Sequence, residues 1–181
     1  MRFWQGMAWL AAAMAGGPVG CTRPSSGPSP VTNVEPVFVT NYYHLNHAQP
    51  KLPTIRLWVG AQELEAEVAR TMTEIATGMM FRTNLAENAG MLFVFARPQP
   101  RGFYMKNCVV PLSAAYIDAE GVIDEIVDLH PGVIKDVPSR SDRIKYVLEV
   151  NQGWFTRHAV TTGMVINTSS GLLKNLTGII D

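Results

Sequence analysis

The chain has 181 residues, 47% of them apolar, and its 15 basic and 15 acidic side chains cancel. That length and apolar fraction fit one folded domain and exclude a wholly disordered chain. The charge balance argues against a general nucleic-acid binder, and two cysteines are too few for a disulfide framework or a Cys-based structural zinc site.

Arg2 precedes an apolar run over 3–17, centred on Trp9, Leu10 and Ala11-Ala12-Ala13. A positive start, a short apolar stretch and then small residues describe a secretory signal peptide, here 1–20. Gly16-Gly17-Pro18 interrupts the run before it reaches the ~20 residues a spanning helix needs. Gly20-Cys21, followed by a stretch rich in Ser, Pro and Gly, resembles the end of a bacterial lipoprotein signal. This implies an exported protein held at the cell envelope, with the membrane as its partner through acylated Cys21. Pro18 stands where such signals usually carry Leu. The alternative cut at Ala13-Met14-Ala15 leaves a soluble periplasmic or secreted protein with a free Cys21 thiol.

Residues 21–53 read as the lipidation site and a spacer, since 22–53 holds six of the twelve prolines and no sustained periodicity. His44 and His47 lie in it, two ligands where zinc requires more, and are read as solvated. From Thr54 to the C-terminus the pattern is that of one domain. Residues 54–59 and the alternation of Leu64, Ala66 and Val68 with Glu63, Glu65 and Glu67 predict two strands around Gly60-Ala61, the second with one wet face. Thr71-Met72-Thr73-Glu74 is a capping box that opens a short helix over 72–79. The continuous run 91–95 suits a strand buried on both faces. Residues 112–117 and 122–129 flank a turn sequence, Asp118-Ala119-Glu120-Gly121, and predict a hairpin. The aperiodic stretch 130–143 is long for a loop, and such loops are often functional. A strand over 144–150, a turn of helix over 153–158 and a last strand over 164–168 complete the chain. Many short strands with two short helices predict a mainly β fold, a small closed β-barrel or β-sandwich.

Four motifs then follow in order: Gly78-Met79-Met80-Phe81-Arg82, Gly90-Met91-Leu92-Phe93-Val94-Phe95, the stretch from Phe103-Tyr104-Met105-Lys106-Asn107-Cys108 to Pro111-Leu112, and Tyr146-Val147-Leu148-Glu149-Val150. Together, over roughly 55–166, they closely resemble the prokaryotic family known as domain of unknown function 192. The resemblance implies a small β-rich domain, often exported or lipid-anchored, with no settled activity. It also implies Trp where Tyr104 stands, Thr where Cys108 stands, and Asp where Ser113 and Met164 stand. A metal- or acid-dependent step that used those two carboxylates in relatives is correspondingly disfavoured here.

Glu149 lies within an apolar strand, sharing one face with Val147 while Tyr146, Leu148 and Val150 share the other. A carboxylate so placed is at least partly buried and needs a partner, for which Arg82 and Lys106 are the candidates. The group reads either as a cationic pocket in which Glu149 accepts a ligand's hydroxyl hydrogens, or as an ion pair that fixes strand register. Phe103 to Asn107 sets an aromatic ring, a cation and an amide side by side, as a sugar or small polar ligand would use. Simple strand alternation, with Asn107 as a turn former, accounts for the same residues. Cys108 with His130 or His158 invites a nucleophile, but a small buried hydrophobe is the better reading. The acidic set Asp118, Glu120, Asp124, Glu125 and Asp128 reads as solvated charge, and Met72, Met79, Met80 and Met91 as packing around the helix. Neither a G-x-S-x-G elbow nor a phosphate-cradling glycine loop occurs. No catalytic residue, metal or cofactor is therefore expected. The candidate ligand-binding residues are Arg82, Tyr104, Lys106, Asn107 and Glu149, and the expected partner is a small polar ligand or an envelope protein. The alternatives are an envelope or carbohydrate-acting enzyme using Glu149, and a structural domain without a ligand site.

Overall fold

The structure is a computed structural model and describes residues 43–178. The signal peptide, Cys21 and most of the spacer lie outside the described residues.

Strands β1 (Thr54–Val59) and β2 (Gln62–Ala69) form the expected antiparallel hairpin, in register from Thr54↔Glu67 to Val59↔Gln62. Gly60 turns it with a φ of 60°, a value that costs glycine little. Helix α1 (Met72–Thr77) begins on the complete capping box, with Thr71 accepting from the Glu74 amide and Glu74 accepting from the Thr71 amide. It ends two residues sooner than the sequence suggests because Gly78, at a φ of 47°, turns the chain away. The chain then returns as β3 (Ala89–Val94), which pairs in parallel with β2.

Beyond these lie β4 (Gly102–Phe103), β5 (Leu112–Asp118), β6 (Ile123–Leu129), β7 (Val137–Pro138) and β8 (Ile144–Asn151). Helix α2 (Trp154–Arg157), β9 (Ile166–Thr168), β10 (Gly171–Leu172) and a 3-10 helix (Leu173–Gly178) follow. Eight strands make one sheet in the order β10-β9-β1-β2-β3-β8-β5-β6, and β4 with β7 make a two-stranded ribbon.

The sheet is curled and open, not the closed barrel or sandwich that the strand count suggests. Among the described residues its two ends are joined by no continuous strand pairing, but by the Val122–Val165 bridge and a few backbone hydrogen bonds, such as Ile123 to Met164 at 2.9 Å and Ile166 to Gly121 at 2.9 Å. With three residues in β9 and two in β10 there is too little strand to form a seam.

Both faces of the central strands are buried, and strand alternation divides the core in two. One cluster, the inside of the curl, takes Leu92 and Val94 from β3, Tyr146, Leu148 and Val150 from β8, and Trp154 from α2. The other, on the outer face, takes Met91 and Phe93 from β3, Val147 from β8 and Leu112, Ala114 and Tyr116 from β5. The continuous apolar run in β3 thus serves both cores, as its composition predicts.

The outer core is covered by α1, by the ribbon and by a strap of chain ahead of β1. Residues 44–53, read from sequence as the end of a spacer, are tied to the domain. The Leu45 amide donates to Thr77 Oγ1 at 3.0 Å, buried Gln49 donates to the carbonyl of Gly78 at 2.9 Å, and the Leu52 amide donates to Glu67 at 2.7 Å. This strap explains a departure from the expected wet face of β2. Glu63 and Glu65 are exposed, but Glu67 is buried.

Candidate functional site

The centre of β8 places Glu149 on the outer face, in a cross-strand row with Met91 of β3 and Ala114 of β5. Met91 is flanked on its other side by Glu67 of β2. The same face therefore carries two buried acids, and they are treated differently. Glu67 receives a two-pronged hydrogen bond from Arg82, with both contacts at 2.7 Å, besides the Leu52 amide. Arg82 is thereby the partner of Glu67 and not of Glu149. Such a forked pair satisfies both carboxylate oxygens.

Glu149 is 4% exposed, and its carboxyl makes no hydrogen bond or ion pair among the described residues. Burial without a compensating charge raises its pKa to about 8. The group is thus mostly a neutral carboxylic acid at pH 7, able both to donate and to accept a hydrogen bond.

The side chain lines a cavity of about 430 Å³ on the outer face. Met79 and Met80, which follow α1, form part of its wall together with Phe93 and Phe103. The two phenyl rings meet edge to face, 4.9 Å apart at 81°, a favoured aromatic geometry. Tyr104 and Arg101 join the lining from the ribbon side. The Arg101 guanidinium lies 3.7 Å over the Phe95 ring and donates to the Arg97 carbonyl at 2.7 Å. Its Nε is buried without a hydrogen bond, and burial lowers its pKa. The Arg101 amide donates to Ser139 Oγ at 3.0 Å, and the Ser139 amide donates back to the Arg101 carbonyl at 2.7 Å. The loop over 130–143 therefore buttresses the cavity wall.

Of the remaining sequence-predicted residues, Tyr104 shares the cavity with Glu149, whereas Lys106 and Asn107 are not among its lining residues. Tyr104 lines both this cavity and a separate shallow depression, which it shares with Lys106, Ile134 and Asp136. Lys106 Nζ lies 3.5 Å from His44 Nε2, the strap supplying its neighbour. Asn107 is exposed at a φ of 57°, its carbonyl accepts from the Phe81 amide at 2.8 Å, and its role is that of a turn. The expected strand alternation of 103–107 fails because the strand ends at Phe103.

Cys108 also lines the cavity, but burial, aided by the Glu149 charge, pushes its thiol up to about 12. That places it far from an activated nucleophile. His130 and His158 are engaged elsewhere, with Gln152 and with the Trp154 carbonyl. Met79, Met80 and Met91 are buried as expected, whereas Met72 is 64% exposed and packs little. Ser113, where the resemblance implies Asp, donates to Asp128 and accepts from the Gly153 amide. No group of three or more potential metal ligands occurs among the described residues.

The sequence profile of DUF192, described as "Uncharacterized ACR, COG1430", matches residues 55–168. The chain belongs to the DUF192 family. Two solved structures share the fold. A candidate transcription regulator from Sinorhizobium meliloti 1021 is 28% identical with a TM-score of 0.64, the match covering 67% of this chain and 98% of that one. A protein of unknown function from Novosphingobium aromaticivorans DSM 12444 is 28% identical with a TM-score of 0.61, covering 67% of this chain and 89% of that one. No curated protein matches.

Within this DUF192 domain the sequence reasoning missed two residues. Glu67 was hidden by an alternation that reads as solvated. Arg101 stands in Pro98-Gln99-Pro100-Arg101, where nothing local says that its side chain turns inward.

Proposed function

We propose that this DUF192 domain is a binding module for a small polar ligand, displayed outside the cytoplasm on an acylated Cys21. The observation that carries the reading is Glu149, a nearly fully buried acid without a partner among the described residues, which opens onto a cavity. Such a group costs stability, and proteins retain that cost chiefly at functional sites. The cavity's apolar, aromatic wall with a few polar groups is the usual composition of a small-molecule site. Binding is favoured over turnover because the Cys108 thiol is held protonated by burial. An acid titrating near pH 8 also suits general acid catalysis, so an enzyme acting on an envelope or carbohydrate substrate through Glu149 is the second reading. Nucleic-acid binding, which the assignment of the Sinorhizobium relative suggests, has the balance of 15 basic against 15 acidic side chains against it.

Thermal shift of the full chain against sugars, polyols and amino acids tests the proposal. Ligands should stabilise the wild type and lose their effect on Glu149→Gln. Hits that act equally on both proteins, or no hits at all, would refute it, and a hit consumed by the wild type alone would replace binding with catalysis. For the anchor, a labelled fatty acid should be incorporated by cells expressing the wild type and not Cys21→Ser. Incorporation that survives the substitution would overturn it.

A further inference from the structure

An acid and a cation, Glu149 and Arg101, line the same cavity. Among the described residues Glu149 has no ion-pair partner, and Arg101 makes a ring contact and a carbonyl hydrogen bond but no ion pair. Lys145 lies close enough to Arg101 for the two cations to disfavour one another, and its ammonium donates to the Ala96 carbonyl at 2.9 Å.

The strands fix where these charges sit. Lys145, Val147 and Glu149 alternate along one face of β8, so about 13 Å of strand separates the first from the last. On the neighbouring strand Met91 faces Glu149, Phe93 faces Val147, and the Phe95 amide donates to the Lys145 carbonyl. The cavity therefore has an acid at one end, a cation stacked on Phe95 at the other, and the rings of Phe93 and Phe103 in its wall. A neutral ligand leaves Glu149 protonated and the Arg101 cation without a counter-charge, and a ligand of one charge can pair with only one of the two groups.

We propose that the cavity takes a small zwitterion, its ammonium group at Glu149 and its carboxylate at Arg101, with an apolar middle against Phe93 and Phe103. The inference rests on the ligand-binding reading above and names the class of ligand. At pH 7 the incoming ammonium forms its ion pair with the Glu149 carboxylate, and the proton that Glu149 held passes to the buffer. Carboxylate binding at Arg101 moves no proton.

The test is calorimetric titration of the full chain with glycine, 4-aminobutyrate, 6-aminohexanoate and 8-aminooctanoate. Alkylamines and alkanoates of matched length serve as controls, and buffers of different ionisation enthalpy read the proton. One zwitterion should bind at least about tenfold more tightly than both of its controls and release about one proton at pH 7. Glu149→Gln and Arg101→Gln should each abolish that preference, whereas Arg101→Lys, which keeps the charge, should retain it. A control binding as tightly as its zwitterion, a preference that survives either Gln substitution, or no binding by the series would overturn the proposal. A neutral polyol that binds the wild type but not Glu149→Gln would overturn the zwitterion and leave the cavity reading standing. Insensitivity of every ligand class to Glu149 would sink both.

Discussion

Replacing Glu149 by Gln should stabilise the protein, and by an amount that depends on pH. In the unfolded chain the carboxyl ionises near 4.5, and in the fold burial holds it protonated up to about 8. Below pH 4.5 both states carry the proton and the residue is indifferent to folding. As pH rises from 4.5 the unfolded state gains charge that the folded state cannot, so stability falls by about 1.4 kcal/mol per pH unit. At pH 7 the accumulated cost is on the order of 3 kcal/mol, and above pH 8, where the folded acid also ionises, it levels near 5 kcal/mol. Glutamine has nearly the same shape and never ionises, so it removes the whole dependence. The assay is urea unfolding of both proteins from pH 4 to pH 9, reading the difference in ΔG. It should start near zero at the acid end and open in favour of the variant up to pH 8. A difference that does not change with pH, or a variant less stable at pH 7, would mean that the carboxylate has a counter-charge, and the account of the cavity would fail.

Three further outcomes are expected. Glu67→Gln breaks the forked pair with Arg82, whose side chains are 17% (Arg82) and 11% (Glu67) exposed, and should cost about 3 kcal/mol. The same variant should speed hydrogen exchange at the Leu52 amide, and unchanged exchange there would show that Glu67 does not hold the strap. In a Cys21→Ser background, Cys108 carries about one thiolate in ten thousand at pH 8, given its pKa of about 12. A disulfide reagent should therefore label it only after unfolding, and labelling of the native protein at the rate of an exposed thiol would contradict its burial. Gly90→Ala should lower the unfolding midpoint by the equivalent of about 3 kcal/mol, because its Cβ would lie 2.6 Å from the Glu149 carbonyl oxygen of β8. A neutral effect would mean that β3 and β8 are less closely apposed than described.

Where the determinants are local, the sequence was legible. The capping box at Thr71 and the Gly60 turn depend on neighbours within a few residues, the two-faced burial of 91–95 is written in an unbroken apolar run, and each is found as read. The division of β8 into a Tyr146-Leu148-Val150 face and a Val147-Glu149 face is also found. What needed the third dimension was pairing. Arg82 had a candidate acid on either side of β3, Glu67 on β2 and Glu149 on β8, and spacing alone could not say that Glu67 would hold it. Closure of the sheet depends on how far β9 extends along β6, a long-range matter invisible in strand count. Arg101 enters the cavity because residues far along the chain, at Ser139, fix its backbone.

The parallel pairing of β2 with β3 has a consequence for how such a domain can change. Parallel neighbours oblige the chain to cross from the end of one strand to the start of the next, over about a dozen residues or more. Residues 70–88 make that passage, and Ile75 to Met80 within it line the cavity. That part of the pocket wall is therefore a by-product of connectivity, carried by chain that contributes no rung to the sheet. Insertions and substitutions there can reshape what the cavity admits while every strand keeps its register. The cavity and the fold are, in this design, open to separate revision.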